Sequence, residues 1–481
     1  MLDLRPVAYV IGLMVAALGM TMLFPAALDY AAGSLHWAIF LEAGLLTTLI
    51  GVFVALSCRN AVGSGLSVQQ TFILTTSVWI ALPLFGAFPF VIGATEARFV
   101  DAYFEAMSGL TTTGATVFSD LDDLPLGLNL WRGILQWLGG IGIIVVAMVF
   151  LPELRVGGMQ IFRSEGFDTM GKILPRATEI AQQVSVIYLV ITCAAILAYL
   201  AVDVSPFDAV MHALTTVSTG GFSNHDASFS ALPAPAEYVA VVFMIAAALP
   251  FVRYVQLLAG DSAPLWKDSQ IRSFVYVLAA VVILMVIARA VHAGLSEEAL
   301  RKSLFNVTSI LTGTGYASDN YMAWGTFAVM LFFFVGLIGG CAGSTSCSIK
   351  VFRYQLLFTA VASEVNRIQS PHGVFTPRYE GRRVSEDVVN SVISFFMLFI
   401  LTLGVVSILL NLTGLDFITS VSGASAALAN IGPGLGDVIG PTGNYATLPD
   451  AAKWILIVAM LIGRLELMAV FVLFTSTFWR A

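Results

Sequence analysis

Charge is what this chain of 481 residues has least of. Lys, Arg, Asp and Glu together make up 11% of it, less than half the ~25% of an ordinary soluble domain. Apolar residues reach 58% and mean hydropathy is +0.89, which excludes a soluble globular class. Cysteine is scarce as well: Cys58, Cys193, Cys341 and Cys347 stand apart, with no Cys-x-x-Cys pair and no His cluster beside them. Three of the four lie in apolar or small-residue segments. They read as small buried side chains, a disulfide or metal site being the weaker alternative. A long soluble segment, a low-complexity tract and an acidic or basic tail are also missing. There is no nucleophile–base constellation, and the glycine-rich stretches lack the Lys of a phosphate-cradling loop. These absences argue against an enzyme, against an organic cofactor on this chain and against a nucleic-acid partner.

What is present is a succession of apolar runs long enough to cross a bilayer. Two helices come first, near 7–29 and 36–57. The first has Arg5 ahead of it and alanines near its end, as a signal peptide would. Its apolar stretch outruns the ~7–15-residue core of such a peptide. Four units follow, each with an outer helix, a short segment, a glycine loop and an inner helix. Their long helices are expected near 70–93 and 130–152, 180–202 and 237–259, 272–293 and an interrupted 322–358, and 388–411 and 451–478. The short segments, 99–110, 207–217, 297–311 and 416–429, are too brief to span. They begin polar and end apolar, which suits re-entrant helices. The expected divisions are 1–66, 67–176, 177–268, 269–383 and 384–481.

Each short segment runs into a loop built on glycine: Thr111-Thr112-Thr113-Gly114, Ser218-Thr219-Gly220-Gly221, Thr312-Gly313-Thr314-Gly315 and Asn430-Ile431-Gly432-Pro433-Gly434. Gly114, Gly220, Gly315 and Gly432 recur about every 100 residues. Irregular backbone at membrane depth is tolerated only when buried in protein or lining a water-filled cavity, so the loops point to one shared axis. Glycine lets successive carbonyls face one way, and a ring of carbonyls can replace the water shell of a potassium ion. The short helices would aim their partly negative C-terminal ends at that axis. The expected fold is therefore an all-α polytopic membrane protein with four helix–pore-loop–helix repeats around one central pore, plus two extra N-terminal transmembrane helices. The loops are not identical, and the fourth has Asn430-Ile431 where others have Thr or Ser. That departure predicts moderate selectivity, with rubidium and some sodium admitted.

These motifs resemble the Trk/Ktr/HKT superfamily of potassium transporters over essentially the whole chain. The resemblance is carried by Thr112-Thr113-Gly114-Ala115-Thr116, Ser218-Thr219-Gly220-Gly221-Phe222-Ser223, Gly313-Thr314-Gly315-Tyr316, Asn430-Ile431-Gly432-Pro433-Gly434 and Gly463-Arg464-Leu465-Glu466. The two additional N-terminal helices favour the Trk branch over Ktr-type subunits. The resemblance implies potassium uptake, with the ion held by Thr112, Thr113, Gly114, Ser218, Thr219, Gly220, Gly313, Thr314, Gly315, Asn430, Ile431 and Gly432. HKT-type sodium transporters often have serine first, so Gly114 points to potassium. It also implies a homodimer with one pore per subunit, and control by a cytoplasmic TrkA-like nucleotide-binding regulatory partner.

Two features lie below the loops. The stretch 336–348 is too rich in glycine for a regular helix. It reads either as tight small-residue packing or as a flexible gate containing Gly339, Gly340, Gly343, Ser344 and Thr345. The resemblance places an intramembrane gating loop there. Arg464 stands inside the last apolar run, where a charge is costly. A pair with Glu466 is poor, because positions two apart face differently on a helix. The better expectation is an Arg464 that points into the pore and repels cations. His212 and Asp208, four apart, are expected to share a local hydrogen bond.

Positive charge sets the topology. Of the 23 Lys and Arg, one side would hold Arg5, Arg59, Arg155, Arg163, Lys172, Arg176, Arg253, Lys267, Arg272, Lys350, Arg353, Arg367, Arg378, Arg382, Arg383 and Arg480. The other would hold Arg98, Arg132, Arg289, Arg301, Lys302 and Lys453. Both termini then face the cytoplasm of a bacterial cell, with the chain embedded in the lipid of the inner membrane. The partner would dock on 155–179 and 364–386. The alternative to a pore is a sodium- or proton-coupled transporter, a class often marked by inverted repeats. Here the repeats run in one direction.

Overall fold

The structure is a computed structural model that describes residues 2–61, 66–146, 159, 177–294 and 296–480. Among these, seven helices are long and apolar enough to cross a membrane, or up to nine if each bent pair is one span. The chain is an all-α, multi-pass membrane protein. The strands among the described residues are one small hairpin, β1 (Arg378–Tyr379) against β2 (Arg382–Arg383).

The first two helices, α1 (Arg5–Ala31) and α2 (Trp37–Cys58), pack backbone to backbone. A Cβ placed on Gly51 would lie 2.4 Å from the Ala16 amide nitrogen, and one on Gly12 would lie 2.7 Å from that of Ala55. Small residues give membrane helices this close approach without any hydrophobic drive. Unit one comprises α3 (Val68–Ile92), α4 (Phe99–Leu110) and α5 (Leu126–Val145). Ser67 and Gln70 open α3 with a capping box, each side chain receiving the other's amide N–H,. Unit two comprises α6 (Ala177–Leu200), α7 (Pro206–Val217), α8 (Ala234–Ala248) and α9 (Phe251–Leu258). Unit three comprises α10 (Ser269–Ala293), α11 (Glu297–Thr312), α12 (Thr326–Gly336) and α13 (Val351–Gln369). Unit four comprises α14 (Glu386–Leu412), α15 (Phe417–Ala429), α16 (Asp450–Arg464) and α17 (Met468–Phe471).

The short helices α4, α7, α11 and α15 have 12, 12, 16 and 13 residues. At about 1.5 Å per residue none reaches across ~30 Å of hydrocarbon. Side-chain caps start three of them: Ser205 accepts the Asp208 amide, Ser296 that of Ala299, and Asp416 those of Ile418 and Thr419,. They form the core, with every residue from Ala102 to Leu110 and from Ser422 to Ala429 buried. The outer helices instead expose apolar side chains such as Phe53, Leu197, Ile287 and Met397, as a lipid-facing belt requires.

Two expected spans are broken. The 237–259 run bends by 90° between α8 and α9. Pro250 has no N–H to continue the ladder, and Leu249 before it is extended, as a pre-proline residue prefers,. The 451–478 run bends by 105° after α16. There Glu466 and Leu467 adopt left-handed backbone, φ 57° and 53°, without a glycine or proline. Arg464 therefore ends a helix and does not sit mid-span. Lys350 and Arg353, expected to mark the cytoplasmic end of the helix, are both buried. Residues 147–152 of the expected inner helix, and the expected basic positions Arg155, Arg163, Lys172 and Arg176, lie outside the described residues. All four cysteines are free; Cys341 and Cys347 are buried as expected, but Cys193 is exposed and Cys58 is half-buried.

Candidate functional site

Four loops leave the C-terminal ends of α4, α7, α11 and α15 in one backbone register. The amides of Thr112, Thr219, Gly313 and Asn430 each donate to the carbonyl three residues back, at 2.9, 3.0, 3.1 and 3.3 Å. Those of Thr113, Gly220 and Ile431 each donate five residues back, to Ser108, Thr215 and Ala426. Thr112, Thr219, Gly313 and Asn430 all have positive φ, and Gly114, Gly221 and Gly315 have it again two positions later. The register corrects one assignment. The second-loop residue that matches Gly114, Gly315 and Gly432 is Gly221; Gly220 matches Thr113, Thr314 and Ile431.

The loops close into a ring. A Cβ on Gly114 would lie 2.1 Å from the Gly220 carbonyl oxygen, and one on Gly221 would lie 1.9 Å from that of Thr314. On Gly315 it would meet the Gly432 nitrogen at 2.8 Å, and on Gly432 the Gly114 oxygen at 2.7 Å. Each loop thus touches the next, in chain order and back to the first. Glycine is needed for contact between the main chains, and at Gly114, Gly221 and Gly315 also for their left-handed φ. Above the ring a cavity of about 220 Å3 is lined by Gly114, Gly221, Gly315 and Gly432 together with Asp120, Asp226 and His225.

Further side chains brace the ring; sequence reasoning named Asn430 among the site residues but missed Gln136, Tyr445 and Glu105. On α5, Gln136 donates to the Gly220 oxygen at 2.6 Å and accepts the Phe222 amide at 3.0 Å. Tyr445 donates to the Gly432 oxygen at 2.9 Å. Asn430 donates to the Thr113 hydroxyl at 3.0 Å and to the Met460 carbonyl at 2.9 Å, so its amide links the fourth loop to the first. Glu105 and Arg132 form a fully buried ion pair at 2.8 Å. Glu105 also accepts from Thr116 and Val117, while Arg132 donates to the Ser223 carbonyl and lies over the Phe222 ring at 4.3 Å. A carboxylate in a short membrane helix was the available signal; Arg132 had been read as an outer surface charge.

Beneath the ring, residues 337–350 form an irregular loop between α12 and α13. The Ser346 hydroxyl donates to the Thr312 carbonyl at 2.6 Å and accepts the Gly340 amide at 2.8 Å. Cys347 lies 3.5 Å from the Thr112 hydroxyl. The amides of Cys341 and Thr345 donate to the carbonyls of Ala248 and Ala247, and Gly343 accepts from the Phe251 amide. The break in α8–α9 frees those carbonyls, and this loop satisfies them. Of the expected gate residues, Gly339, Gly340, Ser344, Thr345 and Arg464 are buried, and Gly343 is half-buried.

Arg464 does reach this level. Its guanidinium donates to the Cys347 sulfur and, at 3.1 Å, to the Gly139 carbonyl, so it holds the loop. Glu466 pairs with Arg353 and not with Arg464; the helix ends at Arg464, so its turn beyond that residue sets this partner. Arg353 also stacks over Phe395 at 3.9 Å, and Lys350 donates to the Ser346 carbonyl.

Beside the cavity above the ring, His212 bonds to the Asp208 backbone carbonyl at 2.9 Å and to Ser223 at 3.0 Å. The Asp208 carboxylate goes to His225, which also pairs with Asp122. The expected local bond exists, but it uses the main chain. The hydrogen bond to Asp208 raises the His225 pKa, partial burial opposes it and Asp122 adds to it, leaving it pushed up to about 9.

Comparison places this architecture among known proteins. Residues 38–480 match the family model described as "Cation transport protein". The chain is 42% identical over 454 residues to the Trk system potassium uptake protein TrkI of Halomonas elongata, covering 94% of this chain and 91% of that one. It is 35% identical over 485 residues to TrkH of Escherichia coli, covering 99% of each. The crystal structure of the potassium transporter TrkH from Vibrio parahaemolyticus superposes with a TM-score of 0.91 at 32% identity, over 100% of both chains. The chain belongs to the TrkH family of cation transport proteins.

Proposed function

We propose that this protein carries potassium into a bacterial cell across the inner membrane, through the ring formed by the four loops. The observation that carries the reading is the cyclic contact of Gly114, Gly220–Gly221, Thr314–Gly315 and Gly432. A cation leaving the outer cavity meets a ring of main chain fed by four helix C-termini. Carbonyl dipoles replace its water without binding it too tightly to leave. The ion-holding residues are Thr112–Gly114, Ser218–Gly221, Gly313–Gly315 and Asn430–Gly432. The names of the relatives, potassium uptake proteins of the Trk system, support the choice of ion.

The loop 337–350 and Arg464 are the gate in this reading. The loop lies under the ring, and Arg464 ties it to α5 through Gly139. A cytoplasmic TrkA-like nucleotide-binding partner would move it, and the exposed Arg367, Arg378, Arg382 and Arg383 offer that partner a basic surface. The second expected docking segment, 155–179, lies outside the described residues apart from Met159 and the first turn of α6. A homodimer with a pore in each subunit and cytoplasmic termini completes the reading.

The test is ion flux through the purified protein in liposomes, comparing potassium, rubidium and sodium, with and without the partner and nucleotide. Potassium should pass down its gradient, rubidium nearly as well and sodium poorly. Absence of monovalent cation flux in every condition would overturn the reading. Accumulation against the potassium gradient, driven by sodium or protons, would replace the pore with a coupled transporter.

A further inference from the structure

Position 220 holds glycine where the matching positions hold Thr113, Thr314 and Ile431. Its φ is not left-handed, so backbone hand does not demand glycine there. The space does: a Cβ on Gly220 would lie 2.4 Å from the carboxamide carbon of Gln136 and 2.8 Å from its nitrogen. Gln136 is fully buried. Its orientation is set by chemistry, because the Phe222 N–H can only donate and so must face the amide oxygen. The NH2 group then meets the Gly220 carbonyl,.

In the first and third loops a threonine at this position braces its own loop. Thr113 shares a hydroxyl bond with Thr111 at 2.7 Å, and Thr314 shares one with Thr312 at 2.8 Å. The second loop has no such side chain, and the Gln136 amide, reaching in from α5 of the previous unit, occupies the same room. We propose that Gln136 serves as the missing side chain of the second loop, and that by fixing the Gly220 carbonyl and Phe222 amide it helps set the ion selectivity of the ring. This rests on the reading of the four loops as the ion filter. A brace from the neighbouring unit also ties the spacing of the first and second loops together. A glutamate at 136 keeps the acceptor for Phe222 but sets an oxygen against the Gly220 carbonyl, so that carbonyl must turn.

The experiment is liposome flux of potassium, rubidium and sodium through the full chain. Gln136→Glu and Gln136→Leu should each raise the sodium-to-potassium flux ratio about two- to tenfold, the range of one lost hydrogen bond. Gly220→Thr alone should lose most flux through the collision. The double variant Gln136→Ala/Gly220→Thr should recover potassium flux and a near wild-type ratio, because the new hydroxyl can pair with Ser218 as its counterparts do. Gly315→Ala is the control for the filter reading. A wild-type ratio in both Gln136 variants, with a changed ratio in Gly315→Ala, would overturn the role of Gln136 and leave the filter standing. Unchanged ratios in all three would overturn both. A double variant no better than Gly220→Thr alone, while Gln136→Ala still conducts, would also overturn the inference.

Discussion

Replacing Glu105 with glutamine changes one atom and removes one charge, yet it should disable the outer half of the ring. The Glu105 carboxylate receives three kinds of donor: the Arg132 guanidinium, the Thr116 hydroxyl and the Val117 amide. Glutamine offers one oxygen and turns an NH2 towards donors. Arg132, 1% exposed, keeps its charge with no counter-ion. Breaking a buried pair from one side costs about 3–5 kcal/mol, because the remaining charge is left uncompensated. That corresponds to roughly a hundredfold to a few thousandfold fall in the folding equilibrium constant. Arg132 also lines the outer cavity, so its bare charge would repel cations approaching the ring.

Thermal unfolding in detergent and potassium flux in liposomes check this together. Glu105→Gln should lower the unfolding temperature and reduce flux to a small residue. Glu105→Leu/Arg132→Met removes both charges at similar volume, and such replacements are often neutral. It should recover more stability than either single variant. The reasoning is refuted if Glu105→Gln melts and conducts like the parent, or if the double variant is worse than the single one.

Gly221→Ala should abolish selective flux, since its Cβ meets the Thr314 oxygen at 1.9 Å on a left-handed residue, which alone costs about 1–2 kcal/mol; potassium-over-sodium flux ratios read this. Arg464→Ala removes the two donations to Cys347 and Gly139, each worth about 1.5–3 kcal/mol for a charged donor. Basal potassium flux without partner should rise by at least about tenfold, and unchanged flux would dismiss the gating role. The clamp of His225 on Asp122 and Asp208 needs the protonated ring. Its folded pKa is raised to about 9 above the ordinary ~6.5, so the clamp's stability is complete below ~6.5 and is lost as pH rises through 9. The unfolding temperature should therefore fall between pH 7 and 10, and His225→Gln should flatten that slope.

The four-unit plan was legible because its signals are local: apolar length, a short segment that starts polar, then hydroxyls and glycine. The register of the second loop was not. Gly220 and Gly221 are indistinguishable by composition, and only the neighbours Gln136 and Thr314 tell them apart. The α8–α9 break carried a visible Pro250 that continuous hydropathy overrode. The α16–α17 break carried no glycine or proline; the Arg353–Glu466 pair at its corner joins residues 113 apart in sequence. For the same reason Lys350, Arg353 and Arg132 looked like surface charges. Arg132 pairs with Glu105 of the short helix before it, Lys350 with a carbonyl of its own loop and Arg353 with Glu466 of the fourth unit, and counting basic residues per loop reveals none of these partners.

The polarity of the loop under the ring bears on how a gate could work there. Its amides and hydroxyls hold the carbonyls of Ala247, Ala248 and Thr312, and its Cys347 receives Arg464. Withdrawing it into a dry interior would orphan each of these groups, at about 1–3 kcal/mol apiece. Withdrawing it while water fills the pore exchanges each bond for one to water, and the net cost falls to about 0.5–1.5 kcal/mol. A loop of apolar side chains would gain nothing from that water and would resist wetting. In the proposed gate, glycine, serine and threonine at 339–348 would keep the loop well bonded beneath the ring while coupling its release to hydration. On that account the ion path and the loop's release are one event: the water that satisfies the vacated carbonyls is the same water that rehydrates an ion leaving the ring.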